Sequence, residues 1–374
     1  MTQPPAFPVD EFRSRLAALR TVMADRQIDN LIVDQFEHMV YFGGYRSTAA
    51  MYQALIIPLD KEPVAVIREI DVPVFIEKSW LTDWVAFGDD CNPIKVVAET
   101  IKARGFGAAV VGLEHDSHFL TVKRALELES LLPDAKIIDF SGVMWEMRQI
   151  KSPLELAYLG VAADICDRAA AAGFDAARAG VNEREVFAAI TGEAWRSGAD
   201  NSQVAVIASG PRSAILHPPL GGRSLAERDI LHVELVPHFR GYTSRMMRPK
   251  SIGSPTDEQI RTTETMIQIQ EEQIRAMKPG AHAKEVDRIV REGILAAGLR
   301  DSYTNITGYT LGLSCVPRTS DFTRVFLPES GWQLEQDQVF HMYTSADGMA
   351  FSETVVVTPG GGRRLAKTER RLFC

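Results

Sequence analysis

The chain has 374 residues, 45% of them hydrophobic and 24% charged, with a formal net charge of −8. That size and balance predict a soluble globular protein of about two domains. An acidic balance without a long basic cluster argues against nucleic-acid and anionic-membrane partners, and no apolar run approaches the ~20 residues needed to span a bilayer.

The opening MTQPPAFPVDEF has no basic stretch followed by an apolar one, so no signal peptide is read there and a cytoplasmic location is expected. Cys91, Cys166, Cys315 and Cys374 are scattered without CxxC spacing, which fits reduced thiols better than a disulfide framework or a zinc site. Asp10 is placed to cap a helix in which Phe12, Leu16, Leu19 and Met23 fall on one face. Apolar runs at 28–33, 54–59, 63–67, 108–113 and 136–138, with helical stretches between them, predict an α/β sheet. A boundary is expected in MRQIKS at 147–152, giving an N-terminal α/β domain over 1–148 and a second domain over 149–374. Directly after it, Ser152, Pro153 and Glu155 match the N-cap, N1 and N3 positions of a capping box.

In the second half, Asn182 and Ser254 are expected to cap further helices, the latter followed by Pro255 and stopped by Pro279-Gly280. Strand-like runs lie at 204–209, 230–236, 339–344 and 350–358. Helix pairs alternating with strand pairs predict an α+β domain, a curved antiparallel sheet backed by helices. The Gly-rich GGGRR at 360–364 lacks the strand–loop–helix setting of a phosphate site, and PPLGGR at 218–223 reads as a turn. Nothing in the spacing of His232, His238 and His341 recommends them as a metal site.

Four blocks carry the chemistry: ILHVELVPHFRGYTSRMMR at 230–248, TGYTLGL at 307–313, QVFHMYT at 338–344 and GMAFSETVVVT at 348–358. In order and spacing they resemble the metal-binding blocks of the creatinase/aminopeptidase P/prolidase family, the pita-bread hydrolases. The resemblance covers nearly the whole chain and implies a creatinase-like α/β domain followed by a pita-bread catalytic domain. In metal-dependent members five positions hold Asp, Asp, His, Glu and Glu; the matching residues here are Glu234, Arg245, Tyr309, Tyr343 and Ser352. Only Glu234 is an ordinary metal ligand and Arg245 is a cation, whereas a dinuclear site needs several converging carboxylate or imidazole donors. The resemblance therefore implies the family frame without its metal, and no cofactor. It is closer to the metal-free branch, which includes creatinase and ectoine hydrolase. There SGPRSAILHPP at 209–219, the TGY block, the SETVVVT strand and the closing RRLFC at 370–374 all have counterparts, while GGYRSTAAMY at 43–52 and PRTSD at 317–321 depart from the pattern.

By that resemblance His217 is the acid/base, since an imidazole can take a proton from water and return it to a leaving amine near neutral pH. By strand alternation Glu234 shares a face with His232 and Val236, and Glu353, one position after the ligand glutamate of the family, alternates with Ser352 and Thr354. If both strands line one pocket, the two carboxylates would hold a cationic group. Tyr309 is expected to donate a phenolic hydrogen bond to developing charge, and Tyr343 to fill the space of a lost ligand. Arg245 reads equally as an ion-pair partner of Glu234 or as a fork for a substrate carboxylate; Arg318 and Arg46 are further anion-binding candidates.

Losing a divalent ion is tolerable when the substrate carbon is already electrophilic, as in a protonated amidine or guanidine. The expectation is thus a metal-independent C–N hydrolase acting on a small zwitterionic amidine or guanidino acid. The alternatives are a metal-dependent Xaa-Pro dipeptidase or aminopeptidase, and an inactive binding protein of the same fold. The family also implies a homodimer with a small-molecule substrate.

Overall fold

A computed structural model describes residues 6–48, 51–201, 203–315, 318 and 320–374. The chain divides into two units, Met1–Met147 and Arg148–Cys374, one residue before the expected boundary. In the first unit, Phe12, Leu16, Leu19 and Met23 are all buried along α1 (Val9–Asp25). The helix starts at Val9 with Pro8 at its cap, so Asp10 lies inside the first turn, where its carboxylate complements the helix dipole instead of capping it.

Six strands form the sheet of this unit: β1 (Asn30–Val33), β2 (Ala54–Pro58), β3 (Val64–Arg68), β4 (Trp84–Phe87), β5 (Val110–Leu113) and β6 (Lys136–Asp139). Their spatial order is β4-β3-β2-β1-β5-β6, antiparallel at β1–β2 and β2–β3 and parallel elsewhere. Helices α2 (Phe36–Gly43), α3 (Val72–Lys78), α4 (Pro93–Ala103), α5 (Val122–Leu131) and α6 (Val143–Met147) complete it. Strand β4 has no counterpart among the expected runs because it is an edge strand with only Phe87 fully buried. It therefore carries no continuous apolar signal.

The second unit opens on α7 (Pro153–Ala176). The Ser152 side chain accepts from the Glu155 amide while the Glu155 carboxylate accepts from the Ser152 amide. Helix α8 (Glu183–Arg196) is capped by Asn182, whose side chain accepts from the Arg184 amide. Helix α9 (Asp257–Ala276) is capped by Thr256, two residues beyond the expected Ser254, because Thr256 and Gln259 together satisfy two orphan amides. Helix α10 (Ala283–Ala296) follows.

The strands are β7 (Ala205–Ser209), β8 (Ile230–Leu235), the short hairpin β9 (His238–Phe239) and β10 (Tyr242–Thr243), β11 (Met246–Ser251), β12 (Gly308–Thr310), β13 (Val325–Phe326), β14 (Val339–Ala346), β15 (Met349–Thr358) and β16 (Gly361–Arg364). Eight of them form one antiparallel sheet in the order β13-β12-β14-β15-β11-β8-β7, with β16 also on β15. Strand β11 sits in the middle of this sheet although MMRPKS, with a proline and two cations, does not read as a central strand.

One face of the sheet is apolar and covered by helices. Leu231, Val233, Leu235 and Met246 pack with Ile165, Ala169 and Ile190 of α7 and α8. Phe340, Met342 and Val355 pack with Ile274 and Val286 of α9 and α10. Strand alternation sends the residues between them to the opposite face, and these are mostly polar. No helix among the described residues is long and apolar enough to cross a membrane.

Candidate active site on the polar face of the sheet

Cross-strand register defines the polar face. Glu234 is opposite Met247, Met247 opposite Ser352, and Ser352 opposite Tyr343. Directly paired residues point to the same side of a sheet, so Glu234, Ser352 and Tyr343 form one row across β8, β11, β15 and β14. His232 and His341 lie two residues back from Glu234 and Tyr343, and Tyr309 of β12 is paired with His341. The structure thus brings together Glu234, Tyr309, Tyr343 and Ser352 with two histidines.

At the centre lies Arg245, just before β11. One Nη donates to the Glu234 carboxylate and the other to the Tyr309 hydroxyl, in short hydrogen bonds with all three residues buried. Burial opposes this charge, but Glu234 and Tyr309 outweigh it and hold the Arg245 pKa above its ordinary value. The Arg245 backbone is fixed too: its amide donates to Thr354 Oγ1 at 2.7 Å, and that hydroxyl donates to the Arg245 carbonyl at 3.0 Å. Of the two readings of Arg245, the structure shows the ion pair. Each of its two Nη groups is engaged within the protein, by Tyr309 and by Glu234.

The aromatic side chains form a continuous wall. Tyr309 meets His341 edge-on at 5.0 Å between ring centroids, His341 stacks on Tyr343 at 5.4 Å, and half-exposed Phe322 covers Tyr309 at 4.7 Å. Burial raises the pKa of both tyrosines, so each remains a neutral phenol. Tyr343 Oη accepts from Asn305 Nδ2 at 3.1 Å, and Tyr309 Oη accepts from Arg245, which leaves each phenol hydrogen available as a donor.

Burial also lowers the pKa of His232, although Glu234 partly offsets this; burial and then the Arg245 charge push His341 well down. Both imidazoles are neutral at pH 7. Among the described residues neither ring nitrogen of His232 or His341 has a hydrogen-bond partner, and nor do Glu234 Oε2 and Ser352 Oγ. Unsatisfied buried polar atoms each cost about 1–3 kcal/mol, so such a concentration marks a place where a ligand or water completes the bonding. His217 is exposed in the loop before β8, yet close enough for its charge to act on both His232 and His341.

Glu353 is not part of this group. Its cross-strand partner is Met342, in the helix-backed core, and its carboxylate accepts from Arg248 Nη2 at 2.7 Å with Arg364 at 3.5 Å and Arg370 at 3.8 Å. The one-residue offset from Ser352 turns it to the opposite face, which corrects its assignment beside Glu234. Arg318 is half-buried and donates to the Ser320 carbonyl at 3.4 Å. Arg46 is exposed in the first unit, after α2. Sequence reasoning passed over His341 as a site residue, although the period of two from Tyr343 places it on the same face.

Residues 157–359 match the model of metallopeptidase family M24, and residues 15–150 match the creatinase/prolidase N-terminal domain. The chain belongs to the creatinase/prolidase family of M24 hydrolases. It is 28% identical to a Xaa-Pro dipeptidase of Pyrococcus furiosus, over 96% of this chain and 100% of that one. It is 25% identical to the ectoine hydrolase of Halomonas elongata, over 98% of both. A solved prolidase structure from Pyrococcus furiosus superposes with a TM-score of 0.80 at 24% identity, covering 94% of this chain and 100% of that one, which identifies the second unit as a pita-bread domain.

The M24 name implies a metal, and the residues here do not fit one. The sole carboxylate of the row is paired with a guanidinium, and two of the expected ligand positions are neutral phenols. Among the described residues no group of three or more His, Cys, Asp or Glu side chains is placed to hold a metal ion. The Arg245 guanidinium is instead bonded to the one carboxylate of that row.

Proposed function

We propose that this M24 hydrolase cleaves a C–N bond of a small zwitterionic amidine or guanidino acid without a metal ion, with His217 as the acid/base. The observation that carries the reading is Arg245 bonded to both Glu234 and Tyr309 at the heart of the family's ligand positions. The pair is neutral overall, His232, His341, Tyr309 and Tyr343 are uncharged, and Glu234 Oε2 has no hydrogen-bond partner among the described residues. A planar cation can donate to that oxygen and lie against the aromatic wall.

In this mechanism His217 removes a proton from water as the oxygen attacks the carbon between the nitrogens. The same proton is then delivered to the departing nitrogen as the C–N bond breaks. The phenol hydrogens of Tyr309 and Tyr343 and the neutral imidazoles orient the planar group. A cytoplasmic homodimer is the expected setting.

The test is proton NMR of purified protein in EDTA with ectoine, hydroxyectoine, creatine and a Xaa-Pro dipeptide. Turnover of an amidine or guanidino compound, reduced by about 100-fold or more in His217→Ala, supports the reading. Full turnover by that variant sinks the role of His217. The resemblance to Xaa-Pro dipeptidases supports a second reading, metal-dependent dipeptide cleavage; stoichiometric manganese, zinc or cobalt together with chelator-sensitive dipeptidase activity would establish it in place of the first.

A further inference from the structure

We infer that Arg300, which follows α10, holds the carboxylate of the substrate in a cavity at the end of the polar face. The inference rests on the reading above only in taking the substrate to be a small acid. A cavity of about 190 Å³ lies there, lined by Ser213, Leu216, Arg300, Ser345 and Asp347 among others. Two of its lining residues lie close in the chain to residues of the catalytic group. Leu216 precedes His217 in the chain, and Ser345 is the next residue after Tyr343 on the same face of β14, roughly 7 Å along the strand.

Arg300 is held ready for an anion. Its guanidinium lies 4.2 Å over the Tyr303 ring, and Nη1 donates to Asn305 Oδ1 at 3.1 Å. The amide nitrogen of Asn305 in turn donates to the Tyr343 hydroxyl at 3.1 Å, so two hydrogen bonds link Arg300 to the site. The loop that presents these groups is locked by Arg291, which bonds Asp287 at 2.7 and 2.8 Å and the carbonyls of Tyr303 and Asn305 at 2.5 and 3.1 Å. Arg300 makes no ion pair among the described residues, although its neighbour Arg291 is fully committed to Asp287. A planar fork that is stacked and unpaired beside a cavity is the geometry that recognises a carboxylate through two parallel hydrogen bonds. Exposed Asp347, on the rim of the same cavity, disfavours a purely anionic ligand and suits one that also carries a cationic group.

The test measures binding by calorimetry, with ectoine and Gly-Pro as probes beside their carboxamides, on wild-type protein, Arg300→Gln and Asn305→Ala. At least one acid should bind the wild type, about 10-fold or more tighter than Arg300→Gln, while its carboxamide binds both equally weakly. Equal losses for acid and carboxamide in Arg300→Gln would reduce Arg300 to a support for Asn305 and overturn the inference, as would unchanged acid binding or no acid binding to the wild type. Asn305→Ala controls for that support, since it perturbs Tyr343 but keeps the discrimination between acid and carboxamide. Turnover followed in parallel separates the two proposals. Carboxylate-dependent binding through Arg300 without turnover retains the subsite and removes the hydrolytic reading, and turnover indifferent to Arg300→Gln does the reverse.

Discussion

Replacing Arg245 tests the central claim about this site, that a buried ion pair stands where the family's ligands would. Arg245→Ala leaves Glu234 buried with neither Oε1 nor Oε2 bonded. Removing one partner of a buried pair typically costs 3–5 kcal/mol, because the remaining charge has lost its compensation. For a unit of this size each kcal/mol moves the midpoint by about 2–4 °C, so a fall of roughly 6–20 °C is expected in scanning calorimetry at pH 7. The double variant Glu234→Gln, Arg245→Met removes both charges together and should recover most of that loss, giving a coupling energy of about 2 kcal/mol or more in the cycle. Arg245→Lys should fall between, since a point charge cannot bond Glu234 and Tyr309 through one planar fork. If Arg245→Ala unfolds within about 1 kcal/mol of the wild type, water reaches Glu234 freely and the account of a dry, electrically balanced centre is wrong.

Three further outcomes follow from the same reasoning. Glu353→Gln should lower stability by about 3 kcal/mol, since it strips the buried Arg248 of its carboxylate, yet leave kcat/KM of the folded enzyme within about 2-fold; a selective loss of turnover would return Glu353 to the active site. Asp34, buried beside Ser117 and Tyr52, has its carboxyl pushed up to about 7 by burial. The folded state therefore keeps a proton that the unfolded chain has already lost, so this group's contribution to stability is full below about pH 4, declines as pH rises to about 7 and is absent above. Denaturant unfolding of the first unit in Asp34→Asn should show a flatter dependence over that window, and an unchanged slope would contradict the shift. Ser152→Ala should cost about 1 kcal/mol by urea unfolding, since it removes half of the capping box that starts α7; an effect below about 0.3 kcal/mol would mean that Glu155 alone secures the helix start.

Much of the architecture was legible along the chain because it depends on neighbours close in sequence. The α1 stripe, the Ser152 capping box, the Asn182 cap and the apolar strand runs are all satisfied locally, by side-chain period or by bonds three residues apart. The four blocks likewise identified the family, and period-two alternation placed Glu234 on the face it occupies. Elements whose stability comes from distant partners were not legible. Strand β11 reads MMRPKS, and it is central because it pairs with β8 and β15, its buried Arg248 being satisfied by the carbonyls of Ser352, Thr368 and Glu369 and the carboxylate of Glu353. Strand β4 lies at an edge and needs little apolar signal.

The sequence by itself determined which chemical groups occupy the ligand positions, and so that Arg245, Tyr309 and Tyr343 replace ordinary donors. Only the tertiary structure decided their pairing. It turned Arg245 toward Glu234 and Tyr309, sent Glu353 to the helix-backed face, and set His341 between two tyrosines with its nitrogens unbonded among the described residues. It also placed Arg300 beside a cavity that no motif announces. The physical reason is that residue identity and alternation are local properties, whereas a hydrogen bond across 64 or 105 residues exists only once the strands have found their register.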